Sequence, residues 1–173
     1  MALKPLLVTS RFSVEEVERK TAGGQVHRRA VVRHPGAVTI LPMVDDQHVC
    51  LIRNFRVSVN QTLIELPAGT LEPPEPPLQA AYRELQEETG YKAGAMQELH
   101  GFYLSPGILD ERMHLFLATE LESVGTAREP GEEIENLVVS WDEAMDLVVS
   151  RQIQDAKSIV GLLLYDRLRK HLV

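Results

Sequence analysis

A single cysteine, Cys50, rules out an internal disulfide in the 173-residue chain, and its place in the apolar run Val49-Cys50-Leu51-Ile52 points to a reduced, buried thiol and a cytoplasmic setting. Long hydrophobic runs are missing too. Nothing approaches the roughly 18 consecutive apolar residues of a membrane span, and the opening MALKPLLVTS has no long apolar segment, so a soluble, unexported protein is expected. No cluster of lysines or arginines offsets a formal net charge of −7, which argues against binding a nucleic-acid backbone but leaves room for a small anionic ligand carried by metal. The six histidines are scattered without the spacing of a zinc site. No serine lies in Gly-x-Ser-x-Gly, and Cys50 is embedded in apolar residues, so no nucleophilic triad is expected. Internal repeats are absent, and low complexity is confined to EPPEPP.

What is present is enough for one α/β domain: 44% hydrophobic residues and a length too short for two full cores. The most informative stretch is Leu66 to Tyr91, LPAGTLEPPEPPLQAAYRELQEETGY. Pro76 and Pro77 suit a first helical turn, where the missing N–H costs nothing, and Gly90 suits the position just past a helix end. The spacing therefore predicts a helix from about Pro76 to Thr89, with Leu78, Ala81, Tyr82 and Leu85 as its buried stripe and Tyr91 packing back onto Leu85. Glu84 and Glu88 are one turn apart, with Glu87 beside both. Like charges at this spacing each cost a few tenths of a kcal/mol, and they oppose the negative end of the helix dipole. Arg83 offsets part of this. Hard oxygen ligands at i and i+4, next to the loop carbonyl of Ala68, are a set that a divalent cation takes; a solvated acidic face is the other reading of the same carboxylates.

The full pattern decides between them. Gly69, then Glu75, then Arg83-Glu84-Leu85-Gln86-Glu87-Glu88-Thr89-Gly90-Tyr91 resembles the Nudix box at every defined position over 23 residues. The resemblance implies a Nudix fold: an α/β domain of the α+β type, with a mixed β-sheet sandwiched between helices. It further implies Mg²⁺, with Mn²⁺ as an alternative, held by Glu84, Glu88, the Ala68 carbonyl and Glu87. Ser105-Pro106-Gly107 followed by Glu111 is similar to the ADP-ribose pyrophosphatase branch, in which a proline lies about this far beyond the box. In similar hydrolases an acidic loop ahead of a strand carries the glutamate that activates water. Glu132 in Arg128-Glu129-Pro130-Gly131-Glu132-Glu133 aligns best, with Glu133 and Glu129 as rivals. The implied catalytic group is Glu132, Glu133, Glu87 and Arg83. Arg56 and Arg53 would hold substrate phosphate, though either can be plain surface charge, and Glu111 and Pro106 would border the ribose side. The implied reaction is hydrolysis of ADP-ribose to AMP and ribose 5-phosphate. Another nucleoside diphosphate sugar, such as GDP-mannose or ADP-glucose, and a catalytically silent nucleotide-binding module are the alternatives.

Elsewhere the pattern predicts strands. Val14, Val17 and Val26, Val31, Val32 flank the turn Ala22-Gly23-Gly24, giving an antiparallel appendage over residues 1–35 ahead of a catalytic domain over 36–173. Too few apolar residues lie there for an independent core. By resemblance, the protein is a homodimer with exchanged N-terminal strands. Ala37–Val44 and His48–Phe55 predict a core hairpin around Asp45-Asp46. Leu63–Leu66, Leu99–Leu104, Met113–Thr119 and Ile134–Ser140 read as further strands. Ser140-Trp141-Asp142-Glu143 is a capping box opening a helix to about Ser150. A last helix, from Asp155 towards Lys170, is expected to bury Ile159, Val160, Leu163, Leu164 and Leu168.

Overall fold

Two core runs that are apolar on both faces set the architecture. The computed structural model describes residues 5–125 and 134–170. Strand β4 (Ala37–Pro42) is buried along its whole length. It lies between β7 (Ala68–Thr70) and β9 (Arg112–Ser123), antiparallel to the first and parallel to the second, and β8 (Tyr91–Tyr103) completes this sheet in the order β7-β4-β9-β8. Strand β5 (His48–Arg56) lies between β10 (Ile134–Ser140) and β6 (Gln61–Glu65) in a separate antiparallel sheet. The expected hairpin of 37–44 with 48–55 is thus corrected. The two strands join different sheets and touch through one bridge, Met43 with Val49. Each is buried on both faces and takes two neighbours of its own, which leaves little edge for pairing with the other.

The sheets lie between helix α1 (Pro77–Thr89) and helices α2 (Trp141–Val149) and α3 (Ala156–Arg169). Alternation along β4 and β9 divides the core. Val38, Ile40, Phe116 and Ala118 face Ala80, Ala81 and Leu85 of α1, whereas Leu41 and Leu115 face Trp141, Ala144 and Leu162 of α2 and α3. The capping box forms at Ser140 and Glu143. No helix among the described residues is long and apolar enough to cross a membrane.

Both predicted helix stripes need revision. On α1, Ala81 and Leu85 are buried as expected, but Leu78 and Tyr82 are exposed; the stripe runs through Ala80, Ala81, Leu85 and Glu88. Alanines at 80 and 81 let the helix lie close to the sheet. Tyr91 packs against the Leu85 cluster as anticipated. On α3 the buried residues are Lys157, Ser158, Gly161 and Leu162, with Ile159 and Leu164 partly covered, while Val160, Leu163 and Leu168 face out. The reason is Gly161: a Cβ there would stand 2.6 Å from Leu66 Cδ1, so the helix backbone itself meets the sheet.

Strands β1 (Pro5–Val8), β2 (Ser13–Lys20) and β3 (Val26–Arg33) form the N-terminal antiparallel sheet, with Gly24 at φ +79° in the β2–β3 turn. None of residues 5–35 is buried in the single chain. The sheet docks on the 105–110 loop. Val32 N–H donates to the Ile108 carbonyl (2.9 Å), and Asp110 accepts from the His34 N–H and from Arg33, each at 2.9 Å.

Candidate active site

The site is built where the turn after β6 meets the end of α1. The Pro67 carbonyl accepts from Ile40 N–H at 2.9 Å, which locks this turn to β4 and presents Ala68 and Gly69 towards the helix. Helix α1 starts at an extended Pro76 and stops at Gly90, whose φ of +74° is a left-handed cap that a side chain would disfavour. These two ends fix which helical positions face the turn. Glu88, only 4% exposed, occupies the last place in the buried stripe and accepts the Ala68 N–H at 2.9 Å. Glu84 sits so close to Gly69 that a Cβ there would fall 1.8 Å from its carboxyl carbon. Glycine at 69 is therefore the condition for Glu84 to reach the turn.

Arg83 organises the remaining charge. Its Nη1 donates to Glu84 Oε1 (2.7 Å) and Glu87 Oε2 (2.9 Å), and its Nε and Nη2 donate to the two oxygens of Glu75, each at 3.0 Å. These bonds, Glu75 first, raise the Arg83 pKa and hold the Glu75 carboxyl below the usual range. The like-charge cluster expected from sequence is thus compensated more fully than a single i, i+4 pair would achieve.

Do these residues suit a divalent cation? Among the described residues no three carboxylate, imidazole or thiol groups stand together as a ready cation site. Arg83 draws Glu84 and Glu87 towards itself, and Glu88 turns to the Ala68 N–H. The donor chemistry nevertheless fits. Three carboxylates from one helix face, beside a turn kept open by Gly69, are hard oxygen donors of the kind Mg²⁺ takes. They open onto a cleft of about 610 Å³ bounded also by Asn54, Arg56 and the Thr9–Ser13 turn.

Across the Ala68–Thr70 strand a second hollow of about 390 Å³ is lined by Arg56, Glu111, Asp155 and Lys157. Arg56 borders both. Its guanidinium makes a forked pair with Glu65, Nε to Oε1 at 2.9 Å and Nη2 to Oε2 at 2.6 Å. Burial pushes the Glu65 carboxyl up, but Arg56 and Lys157 outweigh burial and hold it below the usual range.

The structure therefore brings together Glu84, Glu87, Glu88, Ala68, Arg83 and Arg56 at the first cleft, with Glu111 on the adjoining hollow, 3.8 Å from His34 Nδ1. Arg53 and Pro106 are exposed and line neither space. On β5, Arg53 points the opposite way from Asn54, as strand alternation requires. Pro106 lies in the loop that docks the N-terminal sheet. Glu129, Glu132 and Glu133 lie outside the described residues. Sequence reasoning missed two contributors. Thr9–Ser13 reaches the cleft of its own chain, and its only sequence signal is Thr9, whose hydroxyl accepts the Arg11 and Phe12 N–H groups to close a turn. The other is Glu65 with Lys157; a lone glutamate inside the apolar run Leu63–Leu66 was the visible hint.

Comparison with known proteins agrees with this geometry. The NUDIX domain model matches residues 33–160. The chain is 42% identical over 151 residues to the ADP-ribose pyrophosphatase of Bacillus subtilis, covering 86% of this chain and 80% of that one. It is 36% identical over 158 residues to the GDP-mannose pyrophosphatase of Cronobacter sakazakii, covering 85% and 82%. A crystal structure of an ADP compounds hydrolase superposes with a TM-score of 0.84 at 26% identity, covering 99% of this chain and 94% of that one. With a box intact at each position, held in this turn-and-helix geometry and matched over most of the chain, the protein belongs to the Nudix family.

Proposed function

We propose that the protein hydrolyses the pyrophosphate bond of ADP-ribose, giving AMP and ribose 5-phosphate, with Mg²⁺ as the working ion and Mn²⁺ as a substitute. The observation that carries this is the approach of Glu84 and Glu88 to the Ala68–Gly69 turn at the wall of a cleft that Arg56 also borders. Glu84, Glu88, Glu87 and the Ala68 carbonyl would hold the ion. When bound, it neutralises charge on the pyrophosphate and lowers the pKa of coordinated water. Arg83 keeps the glutamates in place and is itself held by Glu75. Arg56 meets a substrate phosphate, and Glu111 meets the ribose side. Substrate choice is supported by the name of the Bacillus subtilis relative. The similarity to a GDP-mannose pyrophosphatase favours, as a second reading, the same cleavage on another nucleoside diphosphate sugar.

Release of AMP and of phosphate-bearing sugar should be followed across a panel of nucleotide sugars with Mg²⁺. ADP-ribose should give the highest kcat/KM, and a tenfold or greater preference for a guanosine sugar would replace the first reading with the second. For the water-activating group the assignment is Glu132, ahead of Glu133 and Glu129, because in similar hydrolases this glutamate precedes such a strand in sequence, as these residues precede β10. Glu132→Gln should lower kcat about a hundredfold with little change in KM, the signature of a contact made mainly in the transition state. If Glu133→Gln or Glu129→Gln alone does this, the role moves to that residue.

We further assign residues 1–35 to a dimerising appendage, with N-terminal strands exchanged between two copies, and 36–173 to the hydrolase domain. Support comes from the exposure of Leu6, Leu7, Val8 and Val26 in a sheet too small to stand alone. A reduced, buried Cys50 supports a cytoplasmic setting.

A further inference from the structure

Lys157 stands in the first turn of α3 with 6% exposure, an uncommon place for a lysine, and a buried ammonium persists only where its charge is met. Its Nζ donates to Glu65 Oε2 and to Asp155 Oδ2. Glu65, 1% exposed, is the same carboxylate that holds Arg56 in a forked pair. A forked pair fixes the plane of the guanidinium as well as its position. Asp155 is pinned in turn: it caps α3 by accepting the Ser158 N–H, and the Ser158 hydroxyl donates to it while accepting the Leu66 N–H at 2.7 Å. The start of α3 thus grips both the strand end that leads into the Ala68–Gly69 turn and the carboxylate behind Arg56.

Two cations share Glu65 Oε2, one from each side. Lys157 therefore holds the carboxylate in the orientation that presents both oxygens to Arg56. Removing the ammonium would free Glu65 to rotate and would leave Glu65 and Asp155 facing Arg56 alone, adding a negative charge behind the cleft wall that an anionic ligand approaches. Both effects weaken phosphate binding at Arg56, although Lys157 itself is too deep to meet a ligand in the first cleft.

We propose that Lys157 and Glu65 are positioning residues that set the Arg56 guanidinium for a substrate phosphate. This rests on the reading of Arg56 as a phosphate contact. A purely structural role for the pair predicts a change in stability alone; a positioning role predicts a change in affinity that depends on Arg56.

The test is calorimetric titration of ADP, as a nucleoside diphosphate probe, into the full chain carrying Mg²⁺, with melting temperatures recorded alongside. Lys157→Met should weaken ADP binding roughly tenfold, within the coupling seen between residues sharing one network. Lys157→Arg, which keeps the charge, should restore most of it. Arg56→Ala should also weaken binding, and in that background Lys157→Met should add nothing. An equal loss from Lys157→Met in both backgrounds, or no loss in either, overturns the proposal and leaves Lys157 as part of the scaffold. No effect of Arg56→Ala overturns the reading of Arg56 first and this inference with it. Should Lys157→Met fail to fold, Glu65→Gln replaces it in the same comparison.

Discussion

Glu84→Gln and Glu88→Gln should each lower kcat by about a thousandfold at saturating Mg²⁺, because on the proposed assignment each removes a charge that would help hold the ion expected to supply several kcal/mol of transition-state stabilisation. Folding should survive both changes. In Glu84→Gln, Arg83 keeps Glu75 and Glu87, and the Gln amide oxygen can still accept from its guanidinium. In Glu88→Gln the amide oxygen can still accept the Ala68 N–H, which preserves the tie between helix and turn. Circular dichroism melts should therefore move by only a few degrees. Turnover near that of the unmodified enzyme in both variants would remove these glutamates from the site.

The reason these carboxylates were legible in the sequence is that their geometry is local. Prolines start α1 and Gly90 stops it, so the positions facing the turn follow from helix period alone. The capping box at Ser140 and the turn at Gly23-Gly24 were legible on the same ground. Features that depend on distant partners were not. The first half of β8, Tyr91 to Glu98, is rich in alanine, glycine and charged or amide residues and has weak strand propensity; it is a strand because β9 pairs with it from Tyr91–Ser123 onward. The parallel pairing of β4 with β9, which separates β4 from β5, joins residues 76 positions apart, as Ala37 with Met113, and leaves no mark on either. Lys157 failed for a related reason. Helical periodicity puts a lysine on the wet face, and it is Glu65 across the interface, together with Asp155 at the helix start, that makes its burial tolerable. Exposed Leu78, Tyr82, Val160 and Leu163 show the converse, since period alone reports an apolar face without saying what covers it.

Deleting residues 1–33 should abolish the proposed dimer and weaken nucleotide binding about a hundredfold, as when a few central contacts of 1–3 kcal/mol are lost together. The appendage motivates this because a three-stranded sheet with none of residues 5–35 buried lacks the covered apolar face that such a sheet needs for stability. Leu6, Leu7 and Val8 lie on the edge strand β1, where unpaired backbone groups add to the need for a neighbour. A second copy would meet that need with closed two-fold symmetry, the commonest arrangement among oligomers. The same deletion removes the Thr9–Ser13 turn from the cleft wall, while Glu84, Glu87, Glu88 and Arg83 keep their mutual contacts. Loss should therefore appear chiefly in KM, and the metal requirement should persist. Sedimentation velocity at micromolar concentration reports the first half of the expectation and steady-state kinetics the second. A full-length chain that sediments as a monomer while hydrolysing ADP-ribose would exclude the dimer, and a truncated chain with unchanged KM would exclude the turn from substrate binding.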